Sequence, residues 1–285
     1  QSISKNKNNN DFHFHYGVNL ILREVLFMSE TWLISGSPGC GKTSWILDTF
    51  KNHQGSCGYI RLKGFSEIDL EQAISSKIDF NYLKDQIPEL VDLNSLNLAS
   101  ITSKENPLII IELPQFKVPK LYGLNGIDLR VLKELEDLKL KPNKYLHFGR
   151  DPELQIKDTL DFKNIESYNF DLKKSIWDPA SLNTFWFELV NGAYGDVYRA
   201  KALMNLPDGR YIFFNWILSQ QGSQYLTLNN VAPLSGRPER HSEIVIQGNK
   251  IDFDLIKSTI QNCLLNDSVL ELHQASLRDS QLQTA

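Results

Sequence analysis

Gly36-Ser37-Pro38-Gly39-Cys40-Gly41-Lys42-Thr43 constrains this chain more than any other segment. It satisfies the spacing G-x-x-x-x-G-K-S/T. Glycines at such positions let the backbone curl until successive N–H groups point inward, and the helix that follows adds the positive end of its dipole. Context supports a phosphate-binding loop. The apolar run Thr31-Trp32-Leu33-Ile34 precedes it, and Ser44-Trp-Ile-Leu-Asp-Thr-Phe50 follows with helical character. Residues 36–44 are therefore the expected nucleotide cradle, with Lys42 reaching the β- and γ-phosphates and Thr43 offering its hydroxyl to Mg²⁺.

Such a loop fixes what must surround it. Strands alternating with helices predict an α/β unit. Gly58-Tyr-Ile-Arg-Leu62 reads as the second strand, with a helix over Asp69-Leu-Glu-Gln-Ala-Ile74 after it. Leu108-Ile-Ile-Ile111 is the most apolar run and reads as a strand buried on both faces of a parallel sheet. A helix is expected near Leu129–Leu140 and a further strand over Lys144–Phe148. Glu112, at the end of the apolar strand, is the expected acidic partner of Thr43 at the metal. Glu67 and Asp69 are either further metal-side acids on a switch-like loop or acids favoured by a helix N-terminus. Asn143-Lys144-Tyr145-Leu146 has the first half of a guanine-reading Asn-Lys-x-Asp element, with Leu146 in place of the carboxylate, so GTP and ATP both stay open. Cys40 is either a thiol activated by the helix terminus or a small residue tolerated by the loop.

The remainder differs in character. Residues 151–176 read as a charged linker, and from Ile176 aromatic residues crowd in. Strands are expected over Tyr211–Ile217, Gln224–Leu228 and Ser242–Ile246, and a helix over Asp252–Leu265. Residues 273–285 read as a frayed polar tail, and residues 1–27 as a flexible extension.

Composition narrows the function. Thirty basic against 34 acidic residues give a net charge of −4. No excess positive charge exists to drive non-specific nucleic-acid binding. No apolar run is long enough to span a membrane. The cysteines, Cys40, Cys57 and Cys263, are three in number and contain no C-x-x-C pair. A reduced, cytoplasmic setting is expected. Small-molecule kinases also carry such loops, but they usually clamp phosphates with several arginines, and before residue 130 this chain has only Arg23 and Arg61.

The chain resembles the CobW-like P-loop GTPases, relatives of the HypB and UreG nickel-insertion proteins. Gly64-Phe-Ser-Glu67-Ile-Asp69 is similar to a shortened form of the family's switch segment, and Ile110-Ile-Glu112-Leu-Pro-Gln115 to its strand-plus-E-T-x-G element. Gly195-Asp196-Val-Tyr-Arg199-Ala-Lys201 resembles the signature opening the CobW C-terminal domain, and Arg240–Gly248 its close. Arg199 and Lys201 are either part of that signature or ordinary strand charges. The resemblance implies a P-loop domain with a mostly parallel sheet over residues 28–165. A smaller α+β CobW C-terminal domain over 176–272 would follow it. It further implies Mg²⁺-dependent binding and slow hydrolysis of GTP or ATP, with Lys42, Thr43 and Glu112 as the catalytic set. Service to metal homeostasis or cobalamin-related metal insertion, with a client metalloprotein on the C-terminal domain, belongs to the same implication. Residues 70–107 hold no cysteine, so the family's thiolate zinc site is not expected. The alternative reading is a non-hydrolysing interaction protein of the same descent.

Overall fold

The computed structural model describes residues 30–63, 76–95, 101, 106–114, 118–154 and 165–284. The extension over 1–27, the helix expected over 69–74, Glu67, Asp69 and Gln115 lie outside the described residues.

Among the described residues, two five-stranded sheets organise the fold. The first contains β1 (Glu30–Gly36), β2 (Cys57–Arg61), β3 (Val91–Asp92), β4 (Leu108–Pro114) and β5 (Lys144–His147). Their order is β3-β2-β4-β1-β5 and every pair is parallel. Leu33, Ile34 and Leu108 to Ile111 are all buried, which is why these strands read as continuous apolar runs rather than alternating ones. Helices α1 (Lys42–Asn52) and α2 (Ile78–Gln86) cover one face, with Ile46, Phe50 and Leu83 packed on Ile34, Tyr59 and Ile110. Helix α3 (Leu129–Asp137) covers the other, with Val131 and Leu135 on Leu33, Ile109 and Ile111. Parallel register aligns Ile34 and Arg61 with Glu112, and Ser35 with His147. The carboxyl edge of the sheet therefore gathers the glycine loop, Arg61, Glu112 and His147. Ligands of open α/β sheets bind at that edge.

The second sheet is antiparallel. It comprises β6 (Glu166–Asp171), β7 (Asp196–Asn205), β8 (Tyr211–Ile217), β9 (Gln224–Thr227) and β10 (Glu243–Asn249), in the order β6-β10-β7-β8-β9. Its strands obey period two. In β7, Ala200, Ala202 and Met204 face a core shared with α4 (Pro179–Val190) and α5 (Phe253–Cys263), whose members include Trp186, Ile256 and Ile260. Leu203 joins Tyr211 and Phe213 on the opposite face, where Ile78 of α2 packs against them. Tyr82 of α2 stacks on Phe213 with ring centroids 4.4 Å apart. The parallel sheet's own helix thus seats the antiparallel sheet.

Two expectations are corrected. The stretch read as a linker contains β6, whose Tyr168 and Phe170 alternate with polar residues and pack on Phe253, each at 5.0 Å. Among the described residues, that strand makes the second sheet equal to the first in strand number. The tail is not frayed: α6 spans Asp267–Thr284. It is held at one-turn spacing by buried Leu270, by Gln274, and by Arg278 donating to the Leu234 carbonyl at 2.6 Å. The Gln274 amide accepts from Gly236 N–H at 2.7 Å and donates to the Gly236 carbonyl at 3.0 Å. Polar pinning replaces the apolar stripe that the sequence lacks.

Candidate functional site

The loop between β1 and α1 has the curl its glycines permit. Gly39 (φ 83°) and Gly41 (φ 101°) lie in the left-handed region that L side chains avoid. Gly41 caps α1 without a side-chain hydrogen bond, and the first turn carries no acid. The first-turn amides of α1 therefore face the loop with no built-in counter-charge. Lys42 lies back over the loop, its Nζ donating to the carbonyls of Gly36 at 2.8 Å and Ser37 at 2.9 Å. It is 5% exposed, and its ammonium stands 3.8 Å from Glu112. Cys40 is fully buried, with Sγ 3.7 Å from Lys42 Nζ. That burial denies it the access a reactive thiol needs.

Glu112 and Thr43 do not share a partner in the expected way. Glu112 accepts from the Tyr59 hydroxyl at 2.5 Å and from Arg61 at 3.0 Å. Burial, then the Glu112 carboxylate, push the Tyr59 phenol well above its ordinary pKa, so it stays a donor. Thr43 instead donates to Asp79 Oδ1 at 2.8 Å. Asp79, in the first turn of α2, was not singled out by any motif, because neither its spacing from the loop nor its neighbours mark it. It accepts from Arg61 at 2.6 Å on its other oxygen. Lys201 of β7, in the second sheet, donates to Asp79 Oδ1 and, at 3.1 Å, to Thr43 Oγ1. Burial would raise the Asp79 carboxyl, but Lys201, Arg61 and Arg199 outweigh it and hold the group far below the usual carboxylate range. Burial pushes the Lys201 ammonium down to about 8, with Asp79 opposing.

Arg199 sits one strand repeat from Lys201. With Arg61, Asp79 and Lys201 it lines a cavity of about 30 Å³. Among the described residues, Arg61 Nε and Arg199 Nε are sealed from solvent without a hydrogen-bond partner. Lys42, Arg61, Arg199 and Lys201 thus face the two carboxylates Asp79 and Glu112. Buried positive charge in excess of its partners suits a polyanion. A wider cleft of about 330 Å³ opens beside Lys77, Phe80, Lys174 and Arg240, and includes no residue of the glycine loop.

The Asn143-Lys144 half-element lies at the wrong end of the sheet for reading a base. Asn143 exchanges bonds with Thr31 at the amino edge, accepting from Thr31 N–H at 3.1 Å and donating its own N–H to the Thr31 carbonyl at 2.8 Å. Leu146 is core. At the carboxyl edge of β5, His147 Nδ1 lies 2.6 Å from Ser35 Oγ, and its backbone N–H donates to Asp151 at 2.6 Å. Burial, then Arg150 and Lys42, push His147 down to about 4.

A divalent ion of the Mg²⁺ type needs hard oxygens around it. Thr43 and Asp79 supply two, but Lys201 donates to both of those oxygens, and Arg61 takes the other Asp79 oxygen. The expected acid, Glu112, is committed to Tyr59 and Arg61. The residues as arranged do not fit a metal ion there. Among the described residues no three His, Cys, Asp or Glu side chains cluster as a metal-binding group. No helix among them is long and apolar enough to cross a membrane.

No protein-family model and no curated protein match the chain. Among solved structures it is similar to the Zn(II)-bound YjiA GTPase from E. coli, at 12% identity and TM-score 0.31, over 83% of this chain and 98% of that one. A Zn(II)-bound triple mutant of the YjiA GTPase gives 13% identity and TM-score 0.32 over the same shares. Likenesses of this size assign no residue a role.

Proposed function

We propose that this chain binds a nucleoside polyphosphate on the Gly36–Thr43 loop. One observation carries the reading: Lys42 is already drawn over a loop whose glycines are left-handed and whose helix begins uncapped. A loop preset in this way spends little free energy on ordering when a phosphate arrives. The Lys42 ammonium, the α1 amides and Arg61 neutralise the phosphates.

Slow hydrolysis, with the nucleotide timing a conformational change, is one extension of this reading. Cytoplasmic service to metal homeostasis with a client metalloprotein is another, and both rest on the resemblance of Gly195–Lys201 and the loop to CobW-like proteins. The non-hydrolysing alternative has an observation in its favour: Lys201 and Arg61 occupy the oxygens that would otherwise hold a catalytic metal.

Titration with fluorescent GTP and ATP analogues, followed by phosphate-release assays, tests the proposal. Binding in the micromolar range that falls by roughly 100-fold or more in Lys42→Ala is expected, since truncating a buried charged contact costs several kcal/mol. Equal binding by the two proteins, or none by the wild type, sinks it. Phosphate release that Lys42→Ala abolishes would select hydrolysis over simple retention.

A further inference from the structure

The second sheet reaches the candidate site through one face of one strand. Alternation along β7 sends Ala200 and Ala202 into the helix-packed core, and residues 199, 201 and 203 to the other face. Lys201 therefore projects from the middle of a paired strand, opposite Asn215 on β8 and Val245 on β10. It is 7% exposed. Its ammonium is fixed by Asp79, by Thr43 Oγ1 at 3.1 Å and by the Phe213 ring at 5.8 Å. Thr43 is the hydroxyl that the loop motif assigns to a metal, and Asp79 is the carboxylate bonded to it at 2.8 Å. A cation is thus already seated against both oxygens, and it belongs to the chain.

From this we infer that Lys201 is the resident cation of the phosphate site, so that the chain holds a polyphosphate without a divalent metal and only with the second sheet docked. The inference rests on the nucleotide-binding reading above and names what completes that site. An ammonium held this way bears one positive charge where a metal would bear two. Arg199, beside it with an unpartnered Nε, supplies the second. Both come from one strand face, so the phosphates would lie between the two sheets' charges and bind them to each other. A lysine whose only purpose was to anchor the sheets would need Asp79 alone. The added bond to the loop threonine, and the surplus cation at Arg199, are not explained by anchoring.

Titration of fluorescent GTP and ATP analogues into wild type, Lys201→Ala and Lys201→Arg, in EDTA and in millimolar Mg²⁺, tests this. Wild type should bind equally in the two media, within about twofold. Lys201→Ala should lose roughly 30-fold or more in EDTA, and should regain most of that loss with Mg²⁺, because Thr43 and Asp79 are released to a hard cation. Lys201→Arg, which keeps the charge, should stay close to wild type in EDTA. It also serves as the folded reference should Lys201→Ala unfold. Wild-type binding that requires Mg²⁺ overturns the inference and leaves nucleotide binding standing. So does tighter binding by Lys201→Ala in EDTA, which would make Lys201 a plug that the nucleotide expels. No binding by any of the proteins in either medium removes the underlying reading as well.

Discussion

The two sheets carry their site charges in different ways. In the parallel sheet, Arg61 and the glycine loop sit at strand ends, where the backbone is about to turn, while Glu112 is paired on both sides by β1 and β2. In the antiparallel sheet, Arg199 and Lys201 sit inside β7, paired on both sides by β8 and β10. Groups at strand ends move with loops at small cost. Groups inside a ladder move only if the register moves. Arg199, Lys201 and Glu112 are thus the rigidly placed charges of the site, and Arg61 and the glycine loop the adaptable groups, although the recognisable motif lies among the latter.

The largest test of that contrast removes the carboxylate on which both halves converge. Asp79→Ala leaves Lys201 and Arg61 without their shared partner, and breaking a buried pair costs about 3–5 kcal/mol. Urea unfolding should show that loss. A change below about 1 kcal/mol would mean the two sheets do not depend on this cluster. Next comes acid. His147 is held near 4 in the folded chain against an ordinary value of 6.5. Between those values the unfolded chain binds a proton that the native one refuses, so stability is lost as pH falls from about 6.5 towards 4, by roughly 3 kcal/mol. His147→Asn should flatten that slope when unfolding is repeated at pH 7 and pH 4.5. Because His147 belongs to the parallel sheet, the loss should register first at Trp45 of the loop helix and at Trp32 beside it, and later in the aromatic core of the antiparallel sheet.

Smaller effects resolve finer parts. Gln274→Ala deletes two bonds to Gly236 and should cost about 1–3 kcal/mol, with loss of helical circular dichroism from α6. Full retention of helix and stability would return residues 273–284 to the status of a tail. Tyr82→Leu removes the stack on Phe213 and should cost about 0.5–1.5 kcal/mol, while leaving nucleotide binding within a few-fold.

What the sequence disclosed follows the same divide. The loop and the strands β1, β2, β4, β5, β8, β9 and β10 were legible because each depends on a local pattern: a glycine spacing, an apolar run or an alternation. Asp79 was not, because its importance arises from where α2 places it and not from the residues around it. Helix α4 was missed although it has a local cue: Asp178 accepts from Ser181 N–H at 2.8 Å ahead of Pro179, a helix-start signature set among crowded aromatic residues. Lys201 was visible as a charge in a strand. Its partners, 122 and 158 positions earlier in the chain, were not.

The two-residue beat of β7 has a consequence for how this protein tolerates change. One residue deleted between Lys201 and Leu203, inside the run that pairs unbroken with β8 and β10, would reverse the parity of the residues before it. An alanine would then point at the loop threonine, and an ammonium would be driven among Trp186 and Ile256. Substitutions elsewhere in that strand can be absorbed one at a time. A frame slip of one position would instead forfeit the helix-packed interior and the phosphate site in a single event, so β7 should vary in its letters but never in its count.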